Sequence, residues 1–419
     1  MKSLWLKILE TSGAKIYGVL IGIIFLFLTA HLLGPEGRGI IASVTAWVGL
    51  FAVFSGLSLG QVAQYHIQKK REQVWLSDAL GTLAFLSTIL SLFGFLIAYI
   101  VYQASDGQVF RNIPVSVLIL GFVMLPFIMW EEYGSFLLSA ADSLRAYNIA
   151  QITGRTAGIC AIVLLALWGK LDVIGAILSL AGGQIILCLI CVWALWKLAD
   201  HTMRVNGGML KSLLDGASKL HVNTIAAFLL GQVSILMLNH YGTNAEVGWY
   251  QLSFQMITIM LVVPQAASLV LYSKMAEVGP DNFWPKQKKL ILHILSAMIL
   301  LSFLAYLIVP VVITLLAGTA FEPSIKVFRL LLPAMLGMTL ATLLANQWIG
   351  RGIFLTTAIL TFATAVLNIA INFYAIPKYG MMGAVWSMNL SYAVFANVAQ
   401  LCFAFYCERK YRKLPNSTI

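Results

Sequence analysis

Apolar residues in this chain fall in long unbroken runs, without the alternation of strands or the three-to-four spacing of helices that are half in water. A helix needs roughly 20 apolar residues to cross about 30 Å of hydrocarbon. Runs of that kind recur near residues 14–33, 40–66, 78–102, 114–139, 148–168, 173–197, 220–240, 246–272, 290–317, 325–348, 353–375 and 381–406. The pattern predicts an all-α polytopic membrane protein with about twelve transmembrane helices. Polar breaks between the runs are short. The first, "HLLGPEGRGII" at 31–41, sets Gly34, Pro35, Gly37 and Gly39 around Glu36 and Arg38 and reads as a tight turn between the first two spans.

Composition agrees, with 60% hydrophobic and only 10% charged residues. Lys2, Lys7 and Lys15 give the first run the basic flank of a secretory signal, but it is long and lacks a small-x-small cleavage site, so it reads as an uncleaved span. The five cysteines all lie in or beside apolar runs. Cys188 and Cys191 form a C-x-x-C pattern, which inside lipid is a poor redox or zinc site, so they read as small buried hydrophobes. No cofactor or resident metal is expected.

A formal charge of +11 invites a nucleic-acid reading until its distribution is followed. With the amino terminus in the cytoplasm, only Arg38, Arg111, Lys170, Lys326, Arg329 and Lys378 of the 27 basic residues fall on outer segments. That asymmetry predicts both termini inside and explains the charge as a topology signal facing an anionic bilayer, with no nucleic-acid partner.

The longest connection, 198–219, leaves no room for a soluble catalytic domain. Within it Met209, Leu210, Leu213, Leu214 and Ala217 repeat at helical spacing between Lys211, Asp215 and Lys219, which predicts an interfacial helix on the cytoplasmic leaflet. The organisation predicted is an amino-terminal six-helix lobe (1–197), a cytoplasmic linker (198–219) and a carboxy-terminal six-helix lobe (220–419). Three landmarks relate the halves. The turn around Gly39 corresponds to "TNAEVGWY" around Gly248 at an offset of 209, Leu125-Pro126 to Leu332-Pro333 at 207, and "VIGAILS" (173–179) to "MMGAVWS" (381–387) at 208. Six is even, so the copies are expected to be parallel repeats about an axis along the membrane normal.

"LLGPEGRG" after a basic-flanked first span, "FLLSAADSLRAYNI" closing the fourth, and the six-plus-six duplication resemble the polysaccharide-exporter branch of the multidrug/oligosaccharidyl-lipid/polysaccharide (MOP) superfamily, and within it the Wzx-type flippases. The resemblance covers essentially the whole chain. It implies a MATE-like fold and translocation of undecaprenyl-pyrophosphate-linked oligosaccharide, such as an O-antigen unit, across the bacterial inner membrane. It also implies coupling to protons or sodium, contact with the polymerase and other polysaccharide-assembly proteins, and a cationic cavity built mainly in the amino-terminal lobe.

Physics makes a parallel demand, because a pyrophosphate with its glycan cannot cross hydrocarbon without a polar path. Gln61 and Gln64 on the second span and Asn368 and Asn372 on the eleventh are expected to line it. Ionisable residues within spans mark functional sites by default. Glu131 and Glu132 lie about 12 residues before the turn at 143–144 and Arg155 about 12 after it, so they are expected at one depth and in contact. Arg155 is the candidate for pyrophosphate, since its planar fork gives two hydrogen bonds to phosphate oxygens. Lys15 is the weaker cationic candidate, and Glu131 and Glu132 are charge partners or coupling groups. A structural Glu–Arg pair is the competing reading. Pro126, Pro264, Pro310 and Pro333 interrupt backbone bonding inside spans and are hinge candidates.

Two other classes stay open. An ion-coupled multidrug exporter of the same superfamily would use Glu131 and Glu132 to bind cations. An O-antigen polymerase or ligase would be a membrane enzyme, but such enzymes carry a large periplasmic loop that this chain lacks.

Overall fold

A computed structural model describes the backbone of residues 2–70 and 73–411. Every extended run is helical. Among the described residues eleven segments are long and apolar enough to cross a membrane, and the first of them, Gly13–Gly56, holds the expected first span and the larger part of the second, 40–66. These lie in α1 (Lys2–Gly56), where Gly34, at φ 67° and ψ −176°, breaks the helix into two arms. The Arg38 guanidinium stands 5.6 Å over the Phe25 ring. Thirteen residues of straight helix would separate these two by roughly 20 Å, so the chain folds back at Gly34. The turn is tighter than its four Gly and Pro residues suggested. Gly34 alone leaves helical geometry, Pro35 opens the second arm at the position where proline is tolerated, and Arg38 is buried.

Cα proximity divides the chain into two units, Met1–Phe228 with Thr243–Gly248 and Leu229–Gly242 with Trp249–Ile419. In the first unit the second arm of α1 stops at Leu57 and Ser58, both left-handed at φ 50° and 53°, and α2 (Leu59–Lys70) follows in a new direction. Next come α3 (Gln73–Ala104), α4 (Val115–Val123), α5 (Leu125–Ala140), α6 (Leu144–Leu167) and α7 (Val173–Leu198). The expected fourth span is thus α4 and α5 together. α7 is capped by Asp172, whose Oδ1 accepts from the Gly175 amide at 2.7 Å.

The connection after α7 is hydrogen-bonded to α3 of the first unit. The Thr202 hydroxyl donates to Ser77 Oγ (2.8 Å), and Asn206 donates from Nδ2 to Asp78 Oδ2 (2.7 Å). Asn206 Oδ1 then accepts from the amides of Gly208 and Met209, capping α8 (Gly207–Tyr241). The predicted interfacial helix is therefore the opening of the long helix that carries the seventh span. Met209, Leu213 and Ala217 are buried against the first unit's core, Leu210 is partly buried against it, and Leu214 of the same predicted face is exposed. Hydrophobic spacing alone cannot tell a face that meets lipid from one that meets protein.

α9 (Asn244–Met260), α10 (Val262–Val278), α11 (Pro280–Leu316), α12 (Glu322–Gly350), α13 (Phe354–Tyr379), α14 (Met381–Met388), a π-helical stretch Asn389–Ala396 and α15 (Asn397–Tyr411) complete the chain. The repeat landmarks have structural counterparts. A Cβ on Gly39 would overlap the Asn244 carbonyl, and one on Gly248 would overlap the Pro35 carbonyl. At the offset of 209, Asn244 corresponds to Pro35 and Gly248 to Gly39. The contact is thus reciprocal. "VIGAILS" and "MMGAVWS" open α7 and α14 in the same register. Leu-Pro is used differently in its two copies. Pro126 sits in the first turn after a break at Met124, whereas Pro333 lies inside the continuous α12, as Pro310 lies inside α11. Pro264 resembles Pro126, falling in the first turn of α10 after Leu261.

Candidate functional site

Glycine builds the site's frame. α6 carries Gly154 and Gly158 one turn apart, and these face Gly183 of α7 so closely that a Cβ on Gly183 would stand 2.6 Å from the Gly154 carbonyl oxygen and 3.3 Å from Gly158 Cα. Two helices locked backbone to backbone make a rigid support. Arg155, next along α6, is turned about 100° away from that contact toward the first arm of α1. There Gly18 leaves room for it: a Cβ on Gly18 would overlap Arg155 Nη1 and lie 3.0 Å from its Cζ. The Tyr17 and Thr156 hydroxyls, 2.6 Å apart, join the same two helices.

Between these elements lies a cavity of about 250 Å³, wholly within the first unit, lined by Gly18, Gly22, Phe25, Glu131, Arg155 and Gln184 among others. Arg155 and Glu131 therefore share one cavity; the turn between their helices falls at 141–143, slightly before the 143–144 expected, and leaves the two at similar distances from it. They do not pair. No carboxylate among the described residues forms an ion pair with Arg155. Glu131 is carried instead by two amides: Gln184 Nε2 donates to Oε2 at 2.9 Å and Gln151 Nε2 to Oε1 at 3.3 Å. Gln184 also reaches the Phe127 carbonyl (3.2 Å), and Gln151 the Tyr147 hydroxyl (2.7 Å). The expected Glu–Arg contact is replaced because neutral donors already offset the cost of enclosing the carboxylate. A half-buried guanidinium is left facing the cavity.

The remaining candidates are dispersed. Lys15 is exposed, and neither it nor Glu132 lines this cavity. Glu132 lies on the side of α5 toward Gly56, where a Cβ would be 3.7 Å from its Oε2. Gln61 is half-buried on α2, and Gln64 donates to Ser139 Oγ at 3.1 Å. Asn368 and Asn372 are fully buried in the second unit, and they bond protein rather than lining a path. Asn372 Nδ2 donates to Asn368 Oδ1 (3.0 Å) and Ser234 Oγ (3.2 Å), while Asn368 Nδ2 donates to Ser387 Oγ (3.0 Å) and Ser391 Oγ (3.1 Å). Such a network fixes helix packing.

Gln151, Gln184, Gly18 and Gly183 went unread in the sequence. Two of them carried a signal: Gln151 is one helical turn before Arg155, and Gln184 interrupts "LSLAGGQIILC" in mid-span. The space that Gly18 provides had none, because it depends on which residue of α6 comes opposite.

With the geometry in place, comparison with known proteins decides the family. The family described as Polysaccharide biosynthesis protein matches residues 4–279, well over half of the chain. The chain belongs to the polysaccharide biosynthesis protein family. That match contains the whole cavity. No curated protein matches the sequence significantly. Solved structures with this fold include an inward-facing multidrug resistance MATE family transporter of the MOP superfamily (TM-score 0.76, 15% identity, 94% of this chain and 96% of that one). Lipid II flippase MurJ in an inward closed conformation is comparable (TM-score 0.75, 13% identity, 95% and 87%). A MOP superfamily transporter from Pyrococcus furiosus, whose reverse polarity of binding pocket suggests a different function, is a further match (TM-score 0.61, 16% identity, 96% and 95%). This member of the polysaccharide biosynthesis protein family is thus a multi-pass membrane protein with the fold of MOP transporters and flippases.

The packing yields a direct expectation. Gly18→Ala places its methyl on the mobile end of Arg155, not on backbone, so it should leave the unfolding midpoint near wild type while displacing the guanidinium. Transport should fall several-fold at unchanged membrane abundance, measured side by side by immunoblot and export. Wild-type export would show that the guanidinium's position is immaterial.

Proposed function

We propose that this protein is a Wzx-type flippase. It moves undecaprenyl-pyrophosphate-linked oligosaccharide, an O-antigen or related surface-polysaccharide unit, from the cytoplasmic to the periplasmic leaflet of the bacterial inner membrane by alternating access. One observation carries this reading: the cavity of the first unit presents an arginine that no described carboxylate neutralises, beside a glutamate already satisfied by two glutamines. An anion is the ligand for such a site. Arginine offers a phosphate its bidentate fork. At about 250 Å³ the cavity suits the pyrophosphate, with the glycan and lipid tail elsewhere. Glu131 is the coupling group of this scheme, through protons or sodium, and the prolines that interrupt spans are its hinges.

Multidrug export is the second reading, and Glu131 in the same cavity is what favours it. An arginine alongside opposes cationic cargo. Deletion and complementation in the native host separates the two. Loss of surface polysaccharide with unchanged drug susceptibility supports the flippase; the reverse overturns it. The same cells test orientation. With both termini cytoplasmic, single cysteines replacing Arg111 or Lys170 should react with an impermeant thiol reagent in intact cells, and one replacing Lys70 should not. Labelling at 70 would reverse the topology.

A further inference from the structure

The second unit holds a cationic site that the transport reading does not use. Pro310 lies inside α11 and has no N–H to give the carbonyl four residues earlier, so the Tyr306 oxygen loses its helical partner. Arg329 of α12 takes that place, with Nε and Nη2 each 3.4 Å from the oxygen. Its Cζ lies 4.2 Å from the centroid of the Tyr306 ring. Carbonyl and ring together fix the plane of the guanidinium. Two of its five N–H groups point to the carbonyl, leaving three. Lys326, one helical turn earlier and exposed, lines the same open groove of about 820 Å³. Glu322 is the one acidic residue in the lining, and among the described residues it forms no ion pair with either cation.

We propose that this α11–α12 groove binds the phosphate of an anionic membrane phospholipid through Lys326 and Arg329. Charge and setting favour a lipid over a free anion. The groove opens beside Leu307, Val311 and Leu315, which recur every fourth residue along α11 and are 53%, 65% and 75% exposed. That apolar stripe belongs to a membrane span and suits acyl chains. Both cations lie in the first three turns of α12, just after the short connection at 317–321 that joins it to α11. A bound phosphate would fasten the proline kink of α11 to α12 from outside. The simpler role for Arg329 is to repair the carbonyl that Pro310 exposes, and the two roles part experimentally.

The test uses the full-length protein in phosphatidylcholine nanodiscs containing a minor fraction of phosphatidylglycerol, with retained phosphatidylglycerol counted by native mass spectrometry. Wild type should retain it. Lys326→Gln should lower retention several-fold, and Lys326→Gln/Arg329→Gln at least tenfold. Pro310→Ala restores the N–H to Tyr306, so Pro310→Ala/Arg329→Gln has an intact helix and should still lose the lipid. Equal retention by the Lys326→Gln/Arg329→Gln protein would overturn the site. Recovery of retention in Pro310→Ala/Arg329→Gln would reduce Arg329 to kink repair. Displacement of the lipid by millimolar inorganic pyrophosphate would replace the phospholipid with a soluble anion and overturn the assignment of source.

Discussion

Replacing Arg155 with Gln is expected to cut surface polysaccharide by about 10- to 100-fold with the protein still inserted at wild-type abundance. The range follows from the ~1.5–3 kcal/mol that hydrogen bonds to charged groups contribute. The structure sharpens the expectation by removing a confounding effect. Had Arg155 been the partner of Glu131, its loss would have left an enclosed carboxylate unpaired and destabilised the fold. Gln151 and Gln184 hold that carboxylate instead, so the arginine is dispensable for folding and its loss reads on function. Arg155→Lys, keeping charge without the planar fork, should give intermediate export. Surface glycan on gels, normalised to membrane protein by immunoblot, checks both variants. A drop in abundance that matches the drop in glycan would return Arg155 to a structural role.

The second large effect is on stability and comes from the α6–α7 contact that supports the cavity. Gly183→Ala would set a methyl 2.6 Å from the Gly154 carbonyl oxygen, a backbone atom that cannot swing aside. Overpacking of that kind costs about 1–3 kcal/mol, so the thermal midpoint should fall and the cavity distort with it. At Gly182, its neighbour, a methyl would meet nothing within 4 Å, and Gly182→Ala should hold or raise the midpoint, since alanine favours helix by up to ~1 kcal/mol. Thermal unfolding of the two purified variants in one detergent gives the comparison. Equal midpoints would mean that the helices separate readily at Gly183.

How far the sequence reached can be judged residue by residue. The spans were legible because the bilayer sets both their length and their apolarity, and the Gly34 turn because glycine and proline together leave the backbone few choices. The depth match of Glu131 and Arg155 followed from counting along a helical hairpin, and it places both on one cavity. Their partners did not follow. Counting gives height but not which residue of a third helix stands opposite, so Gln184 of α7 and Gly18 of α1 escaped notice. Asn368 and Asn372 were read as lumenal for the same reason: polarity within a span signals an enclosed partner, and the sequence does not say whether that partner is substrate or, as here, serine and asparagine. The 209–217 segment shows the matching limit for apolar faces.

The central claim is that Arg155 receives the pyrophosphate of a lipid-linked glycan. Its most direct test is translocation of an undecaprenyl-pyrophosphate oligosaccharide in proteoliposomes, followed by access of the glycan to an impermeant modifying enzyme. Wild type should transfer the glycan across the bilayer. The variant Arg155→Gln/Glu131→Gln/Glu132→Gln, neutral at all three positions and so free of unpaired charge, should be inactive while folded. Transfer by that variant at the wild-type rate would contradict the account.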